Sequence, residues 1–261
     1  MIVSLAPRRL LTVAAALTLA ALPSRLAAQT AAEHIALGDR AHAAMSAPAA
    51  LKHYEEAIKL DPHSYEALWK ATREAVDVGE YNDDEGERNR LYTEAEQYAR
   101  RAVEANPGDA EGHFHLARAL GRKALSLGKR DQVKYAGEVR AQALEALRID
   151  PHAAGALHVM GMWNYNVMRL SGMTRFFAKQ FLGGKVFDSA NWDDAQRYME
   201  QSVAADPERL VHNLDLARVY AARGDTAKAR EQYELAIRAK PTEYNDRHYQ
   251  AAAAEELKAL R

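Results

Sequence analysis

The chain has 261 residues, with 35 lysines and arginines against 36 aspartates and glutamates, and it contains no cysteine. The lack of thiols excludes disulfide frameworks, cysteine-ligated zinc, iron–sulfur clusters and cysteine nucleophiles. A near-zero formal net charge argues against a dedicated nucleic-acid-binding protein, which needs a basic surface to displace counterions from phosphate. Alanine supplies about one residue in five, and this bias favours closely packed helices over a sheet.

The first 28 residues have the layout of a secretory signal peptide. Arg8 and Arg9 precede an apolar run of 13 residues, 10–22, and small residues follow up to Ala28. Because a membrane-spanning helix needs roughly 20 apolar residues, we favour a cleaved signal over a retained anchor. We therefore predict cleavage near Ala28 and a mature protein in the periplasm or another extracytoplasmic space.

A repeated motif organises residues 29–261, which we predict to form a single domain. Alanine-rich helical patterns end in Pro62, Pro107, Pro151, Pro207 and Pro241. The last two of these prolines are 34 residues apart, which is the period of the tetratricopeptide repeat. Aligning the prolines predicts repeats at about 31–64, 65–109, 110–153, 154–209 and 210–243, insertions of 11, 10 and 22 residues in repeats 2, 3 and 4, and a capping helix over 244–261.

Residue types at fixed repeat positions predict how the helices pack. In the first repeat, Gly38 occupies a small-residue position of the first helix and Tyr54 a bulky position of the second. Small residues let neighbouring helices approach closely, and bulky residues fill the space between them. Ser64 and Asp109 follow repeat prolines and suit N-caps of the next helices. The predicted fold is an all-α, tetratricopeptide-like superhelix of about five helix-turn-helix repeats.

Several motifs in the second half of the chain are more specific than the general tetratricopeptide pattern. They are a Gly-x-Trp-x-Tyr-x-Val element and a Leu-Ser pair within Leu157–Ser171, then Phe181-Leu-Gly-Gly184, then Asn191-Trp-Asp-Asp-Ala195. From about Ala95 onward the sequence resembles the regulator of microtubule dynamics family. The resemblance implies an all-helical repeat protein without known catalysis that acts through partners. An exported protein would not meet microtubules, so we do not carry the microtubule role over.

Motifs for catalysis or metal binding do not occur in the sequence. His113 and His115 are two positions apart and so point to different sides of a helix, and the acidic run 83–87 does not match calcium-loop spacing. No His-Glu-x-x-His, phosphate loop or nucleophile elbow is present. We predict no catalytic residue, no metal and no cofactor. An enzyme without a recognisable motif stays open, and a buried, pKa-shifted cluster beside a closed pocket would favour it.

The first helix of each repeat supplies a candidate groove on the concave face. Aromatic faces anchor apolar groups, and arginine presents paired donors to a carboxylate. We predict an anionic or C-terminal peptide here; alternatively, the arginines pair with acids such as Glu66 and Glu111, or the insertions fill the groove. The predicted groove residues are Trp69, Arg73, Phe114, Arg118, Arg122, His158, Met162, Tyr165 and Arg218.

The fourth-repeat insertion, 168–187, is rich in phenylalanine and basic residues and contains no acid. One interpretation is a helix that lies on a membrane surface. We favour packing on the repeats, because exposed phenylalanines would promote aggregation. The residues concerned are Phe176, Phe177, Phe181, Phe187, Arg175 and Lys179.

Taken together, the sequence predicts a non-catalytic adaptor or scaffold of the cell envelope. Its partner would be a protein or peptide bound in the groove, and nucleic acid is not expected. A peripheral membrane-associated factor that uses the insertion is the first alternative, and an enzyme without a recognisable motif is the second.

Overall fold

The fold is known from a computed structural model, which describes residues 30–127, 129–172 and 184–260. The predicted export signal lies outside these residues, as do Arg175, Phe176, Phe177, Lys179 and Phe181. Within the described ranges the chain forms α-helices and one short 3₁₀ helix, Gly184–Ser189, and no strand. The helices are α1 Ala31–Ala43, α2 Ala47–Leu60, α3 Tyr65–Glu80, α4 Glu85–Ala105, α5 Ala110–Ser126, α6 Lys129–Ile149, α7 Ala154–Arg169, α8 Trp192–Ala205, α9 Leu210–Arg223, α10 Thr226–Arg238 and α11 Asp246–Ala259.

Successive helices pack in pairs, and each pair stacks on the next. The pairs are α1 with α2, α3 with α4, α5 with α6, α7 with α8, and α9 with α10, and α11 covers α10. This arrangement confirms the all-α, tetratricopeptide-like superhelix. The insertions in repeats 2 and 3 lengthen the second helices, since α4 and α6 each have 21 residues whereas α2 has 14.

Polar caps begin several helices where the sequence suggests them. The Ser64 hydroxyl accepts the backbone N–H of Ala67, and the Asp109 carboxylate accepts that of Glu111, at 3.4 and 2.9 Å. These side chains satisfy amide groups that lack a partner in the first turn of a helix. Gly224 ends α9 with φ +83°, a left-handed conformation that favours glycine.

Small residues allow the helices of a pair to touch. A Cβ atom at Gly38 would lie 2.4 Å from the Tyr54 ring, and one at Gly161 would lie 2.5 Å from the Met199 side chain. Tyr54 and Met199 are both fully buried. Glycine at these positions therefore sets the distance between α1 and α2 and between α7 and α8.

Among the described helices, none has the length and apolarity that crossing a bilayer requires.

Candidate functional site: a cavity inside the superhelix

The first helices of repeats 2 to 5 line a cavity of about 790 Å³ that is partly open to solvent. Its walls come from α3, α5, α7 and α9, with further residues from α6, the 3₁₀ helix and the segment 243–249. The volume lies within the range of small-ligand pockets, roughly 300–1,000 Å³. Most of the predicted groove residues line it: Trp69, Arg73, Phe114, Arg118, Arg122, His158, Met162 and Arg218.

Tyr165 is the predicted groove residue that does not line the cavity. Its ring meets Trp192 edge-on at a centroid distance of 6.0 Å, and its hydroxyl accepts a hydrogen bond from Arg169 at 2.7 Å. The side chain is buried between α7 and α8 instead of facing the interior of the superhelix. Tyr165 therefore contributes to helix packing, and the prediction that it forms part of the groove is corrected.

One end of the cavity is apolar. Most of the side chains that form this end were not among the predicted groove residues. The Trp163 ring lies 6.3 Å from that of Phe187, and its indole N–H donates to the Ala136 carbonyl at 2.8 Å. Phe187 is buried, so for this residue of the insertion the packed interpretation holds. The apolar end is formed by Val133, Val139, Val159, Trp163, Val167 and Phe187.

Each arginine that lines the described cavity wall has a carboxylate partner from this chain. Arg118 bonds Asp77 at 2.5 Å, and Arg122 bonds Glu80 at 2.7 Å. The remaining pairs are Arg73 with Glu74, Arg209 with Glu243, and Arg218 with both Asp215 and Glu256. The structure therefore favours the alternative interpretation, in which the arginines pair with acids of the same chain.

The acids suggested by the sequence for this pairing, Glu66 and Glu111, have other partners. Glu66 binds Lys70 at 2.6 Å, and Glu111 lies 3.3 Å from His115. Both acids sit in the first turn of their helices. Glu74, Asp77 and Glu80, which bind arginines of the wall, lie in the later turns of α3. The arginines of the described wall are thus already neutralised by carboxylates of this chain, which weakens their attraction for an incoming anion.

The ion pairs keep both partners charged. Burial raises the pKa of Asp215, but the hydrogen bond from His158 and the charges of His158 and Arg218 outweigh it and lower that pKa to about 2. Burial acts on the Asp77 carboxyl in the same way, and Arg118 lowers its pKa below the ordinary value. Carboxylates held ionised in this way are poor proton donors near neutral pH.

Histidines form a second feature of the wall. His158 contacts Asp215 at 2.7 Å and stacks on His212 with ring centroids 4.9 Å apart. Burial, then the nearby charge of His158, lowers the pKa of His212 well below its ordinary value. A buried cluster with shifted pKa values does lie beside the cavity, as an enzyme would require. The described lining, however, contains no serine, threonine, cysteine or lysine to act as a nucleophile.

The segment 243–249 forms part of the cavity wall and contacts α3. The Asn245 amide donates to the Asp77 carbonyl at 2.8 Å, and the Tyr249 hydroxyl donates to the Glu80 carboxylate at 2.7 Å. The His248 ring stacks on Tyr81 at a centroid distance of 4.2 Å. The predicted capping helix therefore also joins the last repeat to the second one.

Metal-binding geometry does not occur in the described part of the chain, where no three His, Asp or Glu side chains are close enough to hold an ion. The acidic run 83–87 instead begins α4. The Asp84 carboxylate accepts the backbone N–H of Glu87 at 3.1 Å and so acts as its N-cap.

Comparison with known proteins assigns the chain to a family. The family described as regulator of microtubule dynamics protein 1-3 matches residues 34–261. The chain belongs to this family. Regulator of microtubule dynamics protein 1 of Bos taurus is 27% identical over 150 residues, which are 57% of this chain and 47% of the relative. The Homo sapiens protein is 27% identical over 147 residues, or 56% and 46% of the two chains.

The chain spans about half the length of these relatives. Among solved structures, a thermophilic tetratricopeptide repeat protein of Thermus thermophilus has a TM-score of 0.62 and 22% sequence identity. The match covers 87% of this chain and all of the other one. At that identity the likeness shows the fold alone.

The residues that first suggested the regulator of microtubule dynamics family have structural roles around the cavity. Gly161 admits the Met199 side chain, and Trp163 forms part of the apolar end. The buried Asn164 side chain donates to the Met160 carbonyl and accepts the backbone N–H of Asn191, at 2.9 and 3.1 Å. Asn164 thereby fixes the start of α8 beyond the insertion, a role that the motif spacing alone does not reveal.

Proposed function

We propose that this family member is a non-catalytic binding protein of the cell envelope that holds a segment of a partner protein inside its superhelix. The observation that carries the proposal is the cavity of about 790 Å³, into which the half-buried rings of Trp69 and Phe114 project. Aromatic side chains supply large contact areas at low entropic cost, and they are frequent energetic centres of interfaces. A tetratricopeptide-like scaffold suits such binding, although fold alone does not define function.

The chemistry of the wall favours an apolar segment over an acidic one. The arginines of the wall are already neutralised by carboxylates, and the far end of the cavity is formed by valines, Trp163 and Phe187. Displacing a buried ion pair leaves an uncompensated charge, which is strongly unfavourable. We therefore revise the expected ligand from an anionic peptide to a segment with bulky apolar side chains.

The proposal that the protein is non-catalytic rests on the same wall. Asp77 is held ionised by Arg118, and Asp215 by His158 and Arg218. The described lining contains no serine, threonine, cysteine or lysine. A catalytic acid or base needs a pKa near the working pH. The ion pairs instead fix the positions of neighbouring helices.

A glycine in the wall offers a direct test of binding in the cavity. Gly121 lines the cavity, and a Cβ atom built on it would meet nothing within 4 Å. Gly121→Leu should place a bulky apolar side chain in the cavity, and its Cβ atom should not disturb the neighbouring residues. Gly137→Leu is the matched control, because a Cβ there also meets nothing within 4 Å and Gly137 does not line the cavity.

The binding experiment starts from a phage-displayed library of random dodecapeptides, selected on the protein lacking residues 1–28. Selected peptides are titrated by fluorescence polarisation. We expect apolar and aromatic consensus positions, affinity at least tenfold weaker for Gly121→Leu, and unchanged affinity for Gly137→Leu. Equal binding by all proteins, or selection of acidic peptides only, would contradict the proposal.

A second candidate ligand is an amphipathic small molecule with a hydrocarbon chain. The apolar end of the cavity, next to a charged wall, is the observation that favours it. Native mass spectrometry of the purified protein would detect such a molecule as a mass adduct. Its loss in Gly121→Leu and retention in Gly137→Leu would favour this ligand over a peptide.

The envelope location rests on the signal-like residues 1–28 alone. Intact-mass measurement of the protein from its native cells tests it. We expect the measured mass to match a chain that begins at Gln29, and we expect to find this chain in an extracytoplasmic fraction. A chain that retains residues 1–28 in a cytosolic fraction would contradict it.

A further inference from the structure

The described wall of the cavity carries more acids than bases. Seven acidic residues line it against five arginines, and each of these arginines is bonded to a carboxylate of this chain. With its histidines neutral, the described wall is therefore net negative, and it attracts a cationic group more than an anionic one. The seven acids are Asp77, Glu80, Glu111, Asp206, Asp215, Glu243 and Asp246.

Two of these acids, Glu111 and Asp206, are partly exposed and have no ion pair with an arginine or lysine of the described chain. The Glu111 carboxylate lies 3.3 Å from Nε2 of His115. Burial lowers the pKa of His115 below its ordinary value, so this ring does not neutralise Glu111 near pH 7. The charge of Arg73 also acts on Glu111, but the Arg73 guanidinium is bonded to Glu74 at 2.7 Å.

Both acids lie along the same rim of the cavity. Glu111 is in the first turn of α5, and Asp206 lies four positions before the start of α9. Each repeat is a hairpin of two helices, so successive first helices run in the same direction and begin on the same side. The start of α7, where Gly155 lines the cavity, lies between the two acids.

A buried histidine with an unmet acceptor accompanies each acid. His115 uses Nε2 towards Glu111, and its Nδ1 has no hydrogen-bond partner. The His212 ring is hydrogen-bonded to the backbone of Asp206, and its Nδ1 also lacks a partner. Both histidines line the cavity. In a neutral ring that donates through one nitrogen, the other nitrogen is an acceptor. The rim therefore lacks donors, which a carboxylate ligand cannot supply.

We infer that the bound segment carries a lysine or arginine beside its bulky apolar side chains, and that Glu111 and Asp206 receive this cation at the rim. The inference rests on the proposed binding function and specifies its ligand. An ammonium or guanidinium group neutralises a carboxylate and keeps further donors. The Phe114 ring, one helical turn from Glu111, is half-buried and lines the cavity, and aromatic rings attract cations.

The charge of the ligand is tested with two phage-displayed libraries of random dodecapeptides, selected on the protein lacking residues 1–28. One library omits aspartate and glutamate, and the other omits lysine and arginine. We expect binders from the first library only. In fluorescence polarisation, replacing the lysines and arginines of a selected peptide by glutamine should weaken its binding about tenfold.

The rim is tested with the double variant Glu111→Gln, Asp206→Asn. Glutamine at 111 keeps an oxygen that can accept the His115 N–H, so the local hydrogen bond survives. The matched control is Glu104→Gln, Glu208→Gln, which removes two charges from exposed residues outside the cavity wall. We expect the rim variant to bind basic peptides about tenfold more weakly than wild type at low salt, and the control to bind them as wild type does.

The outcomes separate this inference from the binding function. Peptides that lack basic residues, yet bind more weakly to Gly121→Leu, would overturn the inference and leave binding in the cavity intact. Equal losses in the rim variant and its control would also overturn it, because the effect would then be one of overall charge. Failure of both libraries to give any binder counts against the binding function itself, and the inference falls with it.

Discussion

Gly38→Ala perturbs the closest helix contact of the first repeat. A Cβ atom at this position would lie 2.4 Å from Cε1, 2.7 Å from Cδ1 and 2.8 Å from Cζ of Tyr54. The Tyr54 ring has little room to move, because it is fully buried and its hydroxyl donates to Asp39 at 2.7 Å. The added methyl group must therefore push α1 away from α2.

Two opposing effects set the size of the change. Overpacking a close-packed interior costs about 1–3 kcal/mol, and a contact of 2.4 Å with a rigid ring belongs near the upper end. Replacing glycine by alanine inside a helix returns up to about 1 kcal/mol. The net destabilisation should be about 2 kcal/mol, which lowers the melting temperature of a chain of this size by roughly 4–8 °C.

Urea unfolding followed by circular dichroism at 222 nm measures the change, with Gly121→Ala as the control. A Cβ atom at Gly121 meets nothing within 4 Å, so only the gain in helix propensity applies and the unfolding midpoint should rise. A Gly38→Ala protein as stable as wild type would refute the reasoning, because it would mean that the contact relaxes without cost. Equal destabilisation of both variants would refute it as well.

Further changes follow from the ion pairs and from the family motif. Arg118→Met leaves the buried Asp77 carboxylate without its partner, and it should cost about 3–5 kcal/mol of unfolding free energy in urea titrations. The folded-state pKa of Asp215 is about 2 and its ordinary value is 3.8, so its contribution of about 2 kcal/mol is complete above pH 4 and is lost as the pH falls towards 2. Asp215→Asn should flatten the dependence of the urea midpoint on pH in that window. Asn164→Leu removes the acceptor of the Asn191 amide and should cost about 1–3 kcal/mol, with hydrogen exchange at the start of α8 rising more than elsewhere.

The architecture could be predicted from the sequence because its determinants are local and periodic. Gly38 and Tyr54 stand at fixed positions of a repeat, and each repeat stacks on its neighbours. The caps at Ser64 and Asp109 depend only on residues within the same turn. For the same reason, most of the residues predicted from the groove positions of the first helices do line the cavity.

Features that depend on distant parts of the chain could not be predicted in this way. The bond from Asn245 to the Asp77 carbonyl joins the last repeat to the second, and no spacing within a repeat encodes it. It depends on the accumulated rotation between repeats, which small differences in helix packing determine. The prediction for Tyr165 is wrong for a similar reason. It occupies a groove position, but Trp192, which follows the insertion, provides a packing partner for its ring on the other side.

Repeat periodicity locates the groove arginines but does not reveal whether each one already has an acidic partner. The residues at facing positions of the preceding repeat supply that information. Arg118 occupies position 9 of repeat 3, and its partner Asp77 occupies position 13 of repeat 2, on the adjacent first helix. Arg122 and Glu80 repeat the pattern one turn further along the same two helices. An arginine at a groove position is therefore not by itself evidence of an anion-binding surface, because an acid near position 13 of the preceding repeat can already neutralise it. Where that acid is present, the pair fixes the relative position of two helices, and ligand specificity passes to the apolar side chains between them.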